Sequence, residues 1–345
     1  MSGAPPMFPV ARMLPLVDAL AGRRVVVVGD LIADDYVYGK PGRISREAPV
    51  LIVRHTGGEV RLGGGANAAH NARMLGARVT VVGPVGRDWA GGELRALFTR
   101  AGIGLDGLVE TPDRRTPVKT RILAGGSPST RQQLVRVDRE PEGPLSGETE
   151  AALLATLARV GADAEAFIVS DYGYGTASPR VYEAVLALAR ARGAVVAVDS
   201  RYELARFAGA TAATPNEPEV EALCGTELGD ERDLEKAGRA VLDRLDARLV
   251  LVTRGSRGMA LFERDGPVTH IPIHGTDEIA DVTGAGDTVI STFGLALATG
   301  APPAEAAWLA NVAGGVVVMK RGIAPITAAE LRRALAADGA PPPPR

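Results

Sequence analysis

The 345 residues carry 39 Lys and Arg against 41 Asp and Glu, a net charge of −2 that leaves no basic footprint for nucleic acid. No stretch reaches the roughly 18 continuous apolar residues a membrane helix needs, and no basic segment followed by an apolar run opens the chain, so a cytoplasmic protein without membrane contact is expected. The single cysteine, Cys224, excludes an intramolecular disulfide framework and a Cys-rich metal site; in its apolar context it reads as a buried structural thiol rather than a nucleophile.

Residues 1–23, with Pro5, Pro6 and Pro9, read as an N-terminal extension, and residues 339–345, with prolines at 341–344, as a disordered tail. Arg24 opens a run of four valines to Val28, the pattern of a strand buried on both faces in a parallel sheet. It ends at Gly29-Asp30, with Asp34 and Asp35 following. Ligands of such sheets gather beyond the carboxyl ends of the strands, which places Asp30 and Asp34 to accept hydrogen bonds from substrate hydroxyls; a solvated acidic loop is the alternative.

From Tyr36 to Val53 short β-prone pieces alternate with turns, a small sheet excursion able to cover a site. Gly63-Gly-Gly-Ala-Asn67 then opens an Ala-rich helix to Leu75. Its glycines fit a dinucleotide pattern, but no clear buried strand leads into them and no acid ends the strand at 79–82, so that reading is rejected. A turn that brings the backbone at Gly64 and Gly65 and the Asn67 amide close to a polyol replaces it. After a helix at 88–100, a second β-prone section spans 117–137, interrupted by Gly125-Gly-Ser-Pro128. Arg114, Arg115, Lys119, Arg121, Arg131, Arg136 and Arg139 crowd this section; solvation explains most of them, and a lid over an anionic substrate would use a few.

From residue 148 onward helix and strand alternate: helix 148–160, strand 166–170, helix 179–191, strands 194–198 and 210–214, Pro215-Asn-Glu-Pro-Glu219, a helix, and strand 249–253. Strands separated by helices of this length imply right-handed crossovers and a parallel sheet with helices on both sides. Asp30, Asp171, Asp199, Asn216 and Thr253 fall at strand ends, the row expected along one ligand-bearing edge.

His270 and His274 read as strand ends rather than a zinc pair, and neither a G-x-x-x-x-G-K-[ST] loop nor an H-E-x-x-H helix occurs. In Asp281-Val-Thr-Gly-Ala-Gly-Asp287, the small residues Gly284, Ala285 and Gly286 stand where an irregular segment turns into a helix through Val289, Ile290, Phe293 and Leu297. Unpaired N–H groups and the positive end of the helix dipole make that junction an anion site. Asp287 places a carboxylate beside it, either as a base for a hydroxyl approaching a phosphoryl group or as an acid that satisfies the helix N-terminus. A second helix, about 303–319, follows.

In this order and spacing, Gly63 to Asn67, Asn216 to Glu219 and Asp281 to Asp287 resemble the signatures of the ribokinase-type (PfkB) carbohydrate kinases from about residue 24 to 335. The resemblance implies an α/β, ribokinase-like kinase domain at 24–338. It would have a central, mostly parallel sheet with helices on both faces and a small β lid from segments 36–60 and 112–139. Asp287 would be the base, with the N–H groups of Gly284, Ala285 and Gly286 on the transferred phosphoryl group. Asn216 and Glu219 would organise Mg2+ and its waters beside ATP, Thr253 and Gly255 would hold the nucleotide, and Asp30, Asp34, Gly64, Gly65 and Asn67 the sugar. A monovalent cation such as K+ and a homodimer through the lid belong to the same expectation. A same-fold kinase for another sugar, sugar phosphate or nucleoside is one rival, and a non-catalytic sugar or nucleotide sensor on the same fold is the rival from another class.

Within the family, Gly29 to Asp34, Arg43 to Val50, Gln132 to Asp138 and Ser170-Asp-Tyr172 are similar to the D-glycero-β-D-manno-heptose 7-phosphate kinases. That similarity implies phosphorylation of an anomeric hydroxyl to a 1,7-bisphosphate, a step toward lipopolysaccharide precursors, with Lys119, Arg121 and Arg136 on the distal phosphate. Two positions depart from the pattern: Tyr174 and Arg201 stand where lysines are expected. No H-x-G-H of a fused nucleotidyl-transferring domain occurs, so the kinase domain alone is expected.

Overall fold

The computed structural model describes residues 7–125, 131–275, 281–320 and 322–338. Pro5 and Pro6, the 126–128 part of the glycine-proline turn and the tail at 339–345 lie outside the described residues. In chain order the strands are β1 (Arg24–Gly29), β2 (Leu31–Ile44), β3 (Leu51–Gly64), β4 (Arg78–Gly86), β5 (Leu108–Thr111), β6 (Val118–Ala124), β7 (Gln132–Arg139), β8 (Ala166–Asp171), β9 (Val195–Ser200), β10 (Ala212–Ala213), β11 (Leu249–Thr253), β12 (Met259–Glu263) and β13 (Val268–Ile271). The helices are α1 (Val10–Ala19), α2 (Gly65–Met74), α3 (Trp89–Ala101), α4 (Gly147–Val160), α5 (Pro179–Arg192), α6 (Glu217–Cys224), α7 (Glu231–Arg244), α8 (Ala285–Ala298), α9 (Pro303–Val318) and α10 (Ala328–Asp338).

The valine run of β1 sits inside a nine-stranded sheet of order β13-β12-β11-β10-β9-β8-β1-β4-β5, parallel except for the antiparallel β12 and β13. Strand alternation sends Val25 and Val27 into one core and Val26 and Val28 into the other, which is why the run is apolar throughout. The first core is built with α1, α2, α3, α8, α9 and α10; the second with α4, α5, α6 and α7. Each buried valine contributes about 1.5–3 kcal/mol relative to exposure, so a charge at Val27 would break the sheet at its centre.

Capping fixes where the crossover helices start. Asp88, Ser146, Ser178, Asn216 and Asp230 each accept a backbone N–H in the first turn of the helix they precede. Each such cap is worth about 1 kcal/mol.

A second sheet of order β3-β2-β6-β7 leaves the carboxyl end of β1 and arches over it. Its strands are longer than the sequence suggests. Both β2 and β3 run 14 residues, and Asp34 and Asp35 stand inside β2 rather than in a loop. The turn signals Gly39, Pro41 and Gly42 are absorbed as register shifts at Tyr38/Gly39 and Pro41/Ile44, so pairing resumes beyond each.

Helix α1 forms inside the proline-bearing extension and seats Met13 and Val17 in the core. Cys224 is half-buried at the end of α6, with its thiol 3.7 Å from the Ala237 carbonyl. His270 lies on exposed β13 between Glu231 and Glu235, and His274 meets the Trp308 ring edge-on at 6.2 Å. Among the described residues no helix is long and apolar enough to cross a membrane.

Candidate active site

The carboxyl ends of the sheet strands, the lid and the start of α8 enclose a cavity of about 450 Å³. Asp287 stands at its middle. Asp34, Lys119, Arg121 and Arg136 line it from the lid, and Asn216, Glu219, Thr253 and Gly255 line the opposite end. Met259, Ile273, Val289 and Val318 give that end an apolar wall, open because Gly314 and Gly315 of α9 carry no side chain.

Asp281 builds the junction into α8. Its Oδ1 accepts the Thr283 N–H at 2.9 Å and its Oδ2 the Gly322 N–H at 3.0 Å. Gly284 caps the helix at φ 80°, the left-handed region, and a Cβ there would lie 2.7 Å from Asn67 Nδ2. Of the three amides expected to face an anion, that of Ala285 is used within the turn, donating to the Val282 carbonyl at 3.2 Å. Among the described residues no backbone acceptor faces the N–H of Gly284, Gly286 or Asp287 itself. The start of α8 therefore keeps three unpaired amides among the described residues, with Asp287 in place of Ala285, a geometry able to take an anion.

The Asp287 carboxylate is 2 % exposed. Its Oδ2 accepts from Asn67 Nδ2 at 2.7 Å and its Oδ1 from the Tyr172 hydroxyl at 3.0 Å. Burial pushes its pKa up to about 6; the two hydrogen bonds and the Lys119 charge oppose the rise, and Asp34 adds to it. The group is thus ionised at neutral pH yet basic enough to take a proton.

Asp34 and Arg121 form a buried ion pair across the lid. Burial raises the Asp34 pKa against the pull of Arg121 and Lys119, and burial lowers that of Lys119. The Lys119 ammonium lies 4.7 Å from the centre of the Tyr172 ring, and Arg136 pairs with Asp138 at 2.9 Å. Three cations and one carboxylate thus converge on one end of the cavity.

At the other end Asn216 and Glu219 form a reciprocal capping box, each side chain accepting the other's backbone N–H at 2.9 Å. Thr253 N–H donates to the Pro215 carbonyl at 2.9 Å and fixes this loop to β11. The Thr214 hydroxyl, buried and on the cavity wall, has no hydrogen-bond partner among the described residues.

Three expected sugar-binding positions are placed differently. Asp30 is buried off the cavity and accepts the N–H groups of Tyr172, Tyr174 and Thr176 at 2.8, 3.0 and 3.2 Å, so it builds the loop after β8. Gly65 donates its N–H to the Asp30 carbonyl at 3.0 Å, and only its neighbour Gly64 reaches the cavity. Asn67 is spent on Asp287. The strand-end Asp171 likewise serves its own loop, through Gly173 N–H and the Ser200 hydroxyl.

Arg201, one of the two positions that depart from the heptose-kinase pattern near the site, lines the cavity together with Tyr172 and Thr214, to which the sequence assigns no place there. Tyr172 belongs to Ser170-Asp-Tyr172, one of the stretches similar to the heptose kinases; Thr214 carries no signal beyond its place at a strand end. Tyr174 turns away, donating its hydroxyl to Glu140 at 2.9 Å.

Residues 23–329 match the model of the pfkB family of carbohydrate kinases. The chain is 42 % identical over 307 residues to the Bifunctional protein HldE of Geobacter metallireducens, a match that takes in 89 % of this chain and 61 % of the relative. The chain thus spans about three fifths of the length of that relative. Its fold is similar to that of Escherichia coli phosphofructokinase-2 in complex with potassium, with a TM-score of 0.76 at 20 % identity over 92 % of this chain and 100 % of the other. It is also similar to Arabidopsis thaliana ribokinase complexed with ribose and ATP, with a TM-score of 0.71 at 22 % identity over 91 % of this chain and 99 % of the other. Unpaired amides at a helix N-terminus, a buried carboxylate beside them and a second, smaller sheet arching over a ribokinase-like one agree with the family match: the chain belongs to the pfkB family of carbohydrate kinases and is a phosphotransferase acting on a sugar hydroxyl.

Proposed function

We propose that this kinase transfers the γ-phosphoryl group of ATP to the anomeric hydroxyl of D-glycero-β-D-manno-heptose 7-phosphate, in the cytoplasm. The observation that carries the proposal is the placement of Asp287 between the anion site of α8 and a lid end lined by Lys119, Arg121 and Arg136. A substrate that already carries a dianionic phosphate needs cationic partners away from the reacting hydroxyl, and binding there can orient the reacting end. Similarity to the HldE relative supports the heptose.

In this reading Asp34 and the Gly64 backbone meet the sugar hydroxyls. Asp287 accepts the proton of the attacking hydroxyl as its oxygen bonds to the γ-phosphorus and the bond to the ADP oxygen breaks. The free amides of Gly284, Gly286 and Asp287 stabilise the charge on the transferred group; one such donor is worth on the order of 3 kcal/mol. Mg2+ would supply charge neutralisation on the ATP phosphates. Asn216, Glu219 and the orphaned Thr214 hydroxyl are hard oxygen donors suited to a hydrated Mg2+. Thr253 and Gly255 would border the nucleotide, and a monovalent cation such as K+ is part of the same proposal.

A coupled ADP assay tests the substrate by comparing heptose 7-phosphate with unphosphorylated heptose, fructose 6-phosphate and ribose. The heptose phosphate should give the highest kcat/KM. A higher value for an unphosphorylated sugar would overturn the heptose assignment and leave the kinase intact.

A further inference from the structure

We propose that Asn67 and Tyr172 are positioning residues that clamp the Asp287 carboxylate from opposite sides and leave its remaining lone pairs aimed at the acceptor hydroxyl. The proposal rests on the reading of Asp287 as the base. A carboxylate offers about four acceptor sites, and here one on each oxygen is taken: Oδ2 by Asn67 Nδ2 at 2.7 Å and Oδ1 by the Tyr172 hydroxyl at 3.0 Å. Two sites are left for the substrate's proton.

The hydrogen-bond network fixes the orientation of the Asn67 amide. The Ile326 N–H, 3.1 Å away, can only meet an oxygen, which makes Oδ1 the Asn71 atom facing it. The same oxygen accepts the Thr288 hydroxyl at 3.0 Å. Asn71 must then turn Nδ2 toward Asn67, where it meets Oδ1 at 3.2 Å and the backbone carbonyl at 3.0 Å. That leaves Asn67 with Nδ2 toward Asp287. The i,i+4 pair on α2 is therefore a two-step ruler whose far end is anchored on α8 and on the segment before α10. Gly284 completes it, since any side chain there would strike Asn67 Nδ2.

The opposite jaw is anchored as firmly. The Tyr172 N–H donates to Asp30 Oδ2 at 2.8 Å, and Lys119 of the lid covers the ring. Asn67 thus gains a purpose other than the polyol contact its sequence context suggested, and Tyr172 gains one that no sequence feature specified. The clamp also explains how a carboxylate this deeply buried keeps its charge: two donors offset the desolvation that would otherwise protonate it.

Tyr172→Phe removes one oxygen and keeps the ring, its contact with Lys119 and the backbone bond to Asp30. The other charged groups facing Asp287 are Asp34 of β2, Lys119 of β6 and Asp199 at the end of β9, with Arg201 beside Asp199; the variant replaces none of them. In the sugar-phosphate assay kcat should fall about tenfold with KM for ATP within twofold, because a misaligned base loses rate rather than nucleotide affinity. The acidic limb of the kcat/KM profile should move up by about one pH unit, since the hydroxyl favours the ionised carboxylate.

A measurement that needs no sugar separates the clamp from the base reading. The carboxyl carbon-13 resonance of Asp287, in selectively labelled protein and assigned by its loss in Asp287→Asn, should titrate near pH 6 in the native protein. It should titrate about one pH unit higher in Tyr172→Phe, and Asn67→Ala should shift it in the same direction. A titration in Tyr172→Phe that coincides with the native one would overturn the clamp. Retained turnover in Asp287→Asn would overturn the base and with it the catalytic purpose of the clamp, whatever the resonance does.

Discussion

Asp287 answers two opposing demands, and its cost to the fold can be measured. Its pKa rises from the ordinary value of 3.8 in the unfolded chain to about 6 in the folded one. Between those values the folded chain binds more protons, so stability falls as pH rises from about 3.8 to about 6 and the full deficit is present above. At 1.36 kcal/mol per pH unit the deficit is on the order of 3 kcal/mol. Asp287→Asn should therefore be more stable than the native protein at pH 8, by a margin that vanishes near pH 4, while losing at least about a hundredfold in turnover. Thermal melts at the two pH values with one kinetic assay check both halves. A variant no more stable than the native protein at pH 8 would contradict the assigned desolvation. Much of this was legible in the residues: a glycine-rich junction followed by an acid fixes both an anion site and a carboxylate beside it. What could not be read is where neighbouring polar groups are spent. Asp30 and Asp171 stand at strand ends as expected, but the loop amides of residues 172–176 compete for them, and a buried amide without an acceptor costs more than a lost substrate contact.

The start of α10 supplies the prediction at the level of elements. Thr327 and Glu330 exchange hydrogen bonds across the first turn, at 2.8 Å from the Thr327 N–H to the Glu330 carboxylate and 3.1 Å in return, and Lys320 pairs with Glu330 at 2.8 Å. Against the desolvation of partial burial, which raises it, the Lys320 and Thr327 hydrogen bonds bring the Glu330 pKa down to about 2. A depressed pKa means stabilisation that is complete above the unfolded value of 4.5 and is lost as pH falls through about 2. The carboxylate is 28 % exposed, so screening reduces the effect to about 1–2 kcal/mol. Glu330→Gln should lower the urea midpoint at pH 7, with a smaller difference at pH 3; equal midpoints at pH 7 would remove the cap from the stability of α10. Elements differ in how well they can be read. The valine run of β1 could be placed because both faces of its strand are buried. Helix α1 could not, because Pro15 interrupts its pattern; the helix tolerates it because Ala11, whose carbonyl loses its partner, is exposed to water. The lid strands run longer than their residues suggest for a related reason: Gly39, Pro41 and Gly42 are turn residues by type, and only cross-strand pairing to β3 turns them into bulges.

At the scale of the whole molecule, the lid presents two unlike faces. Cross-strand register aligns Tyr36, Arg121 and Arg136 in one row and Asp34, Lys119 and Asp138 in another, and side chains from both rows line the cavity. The row between them (Asp35, Thr120 and Val137) and the next one beyond Tyr36 (Val37, Ile122 and Val135) must point to the opposite face. Val135 and Val137 are 47 % and 46 % exposed there, and Ile44, Val50 and Leu51 at the far end of the lid are exposed as well, whereas Ile52 and Ile122 are half-buried. An apolar outer face behind a charged inner one is costly in water, and a second copy of the same lid would cover it by a self-complementary contact. Two valines alone offer about 2 kcal/mol, well short of the roughly 4–15 kcal/mol that association costs, so the exposed aliphatics at 44, 50 and 51 and the open edges of β3 and β7 must join the contact. Sedimentation at micromolar concentration should give a dimer, and replacing Val135 and Val137 together by Lys should give a monomer that keeps its helical content. Because Lys119, Arg121 and Arg136 ride on the same strands, the monomer should also show a raised KM for the sugar phosphate with KM for ATP little changed. A native protein that sediments as a monomer would leave the outer face of the lid without this partner.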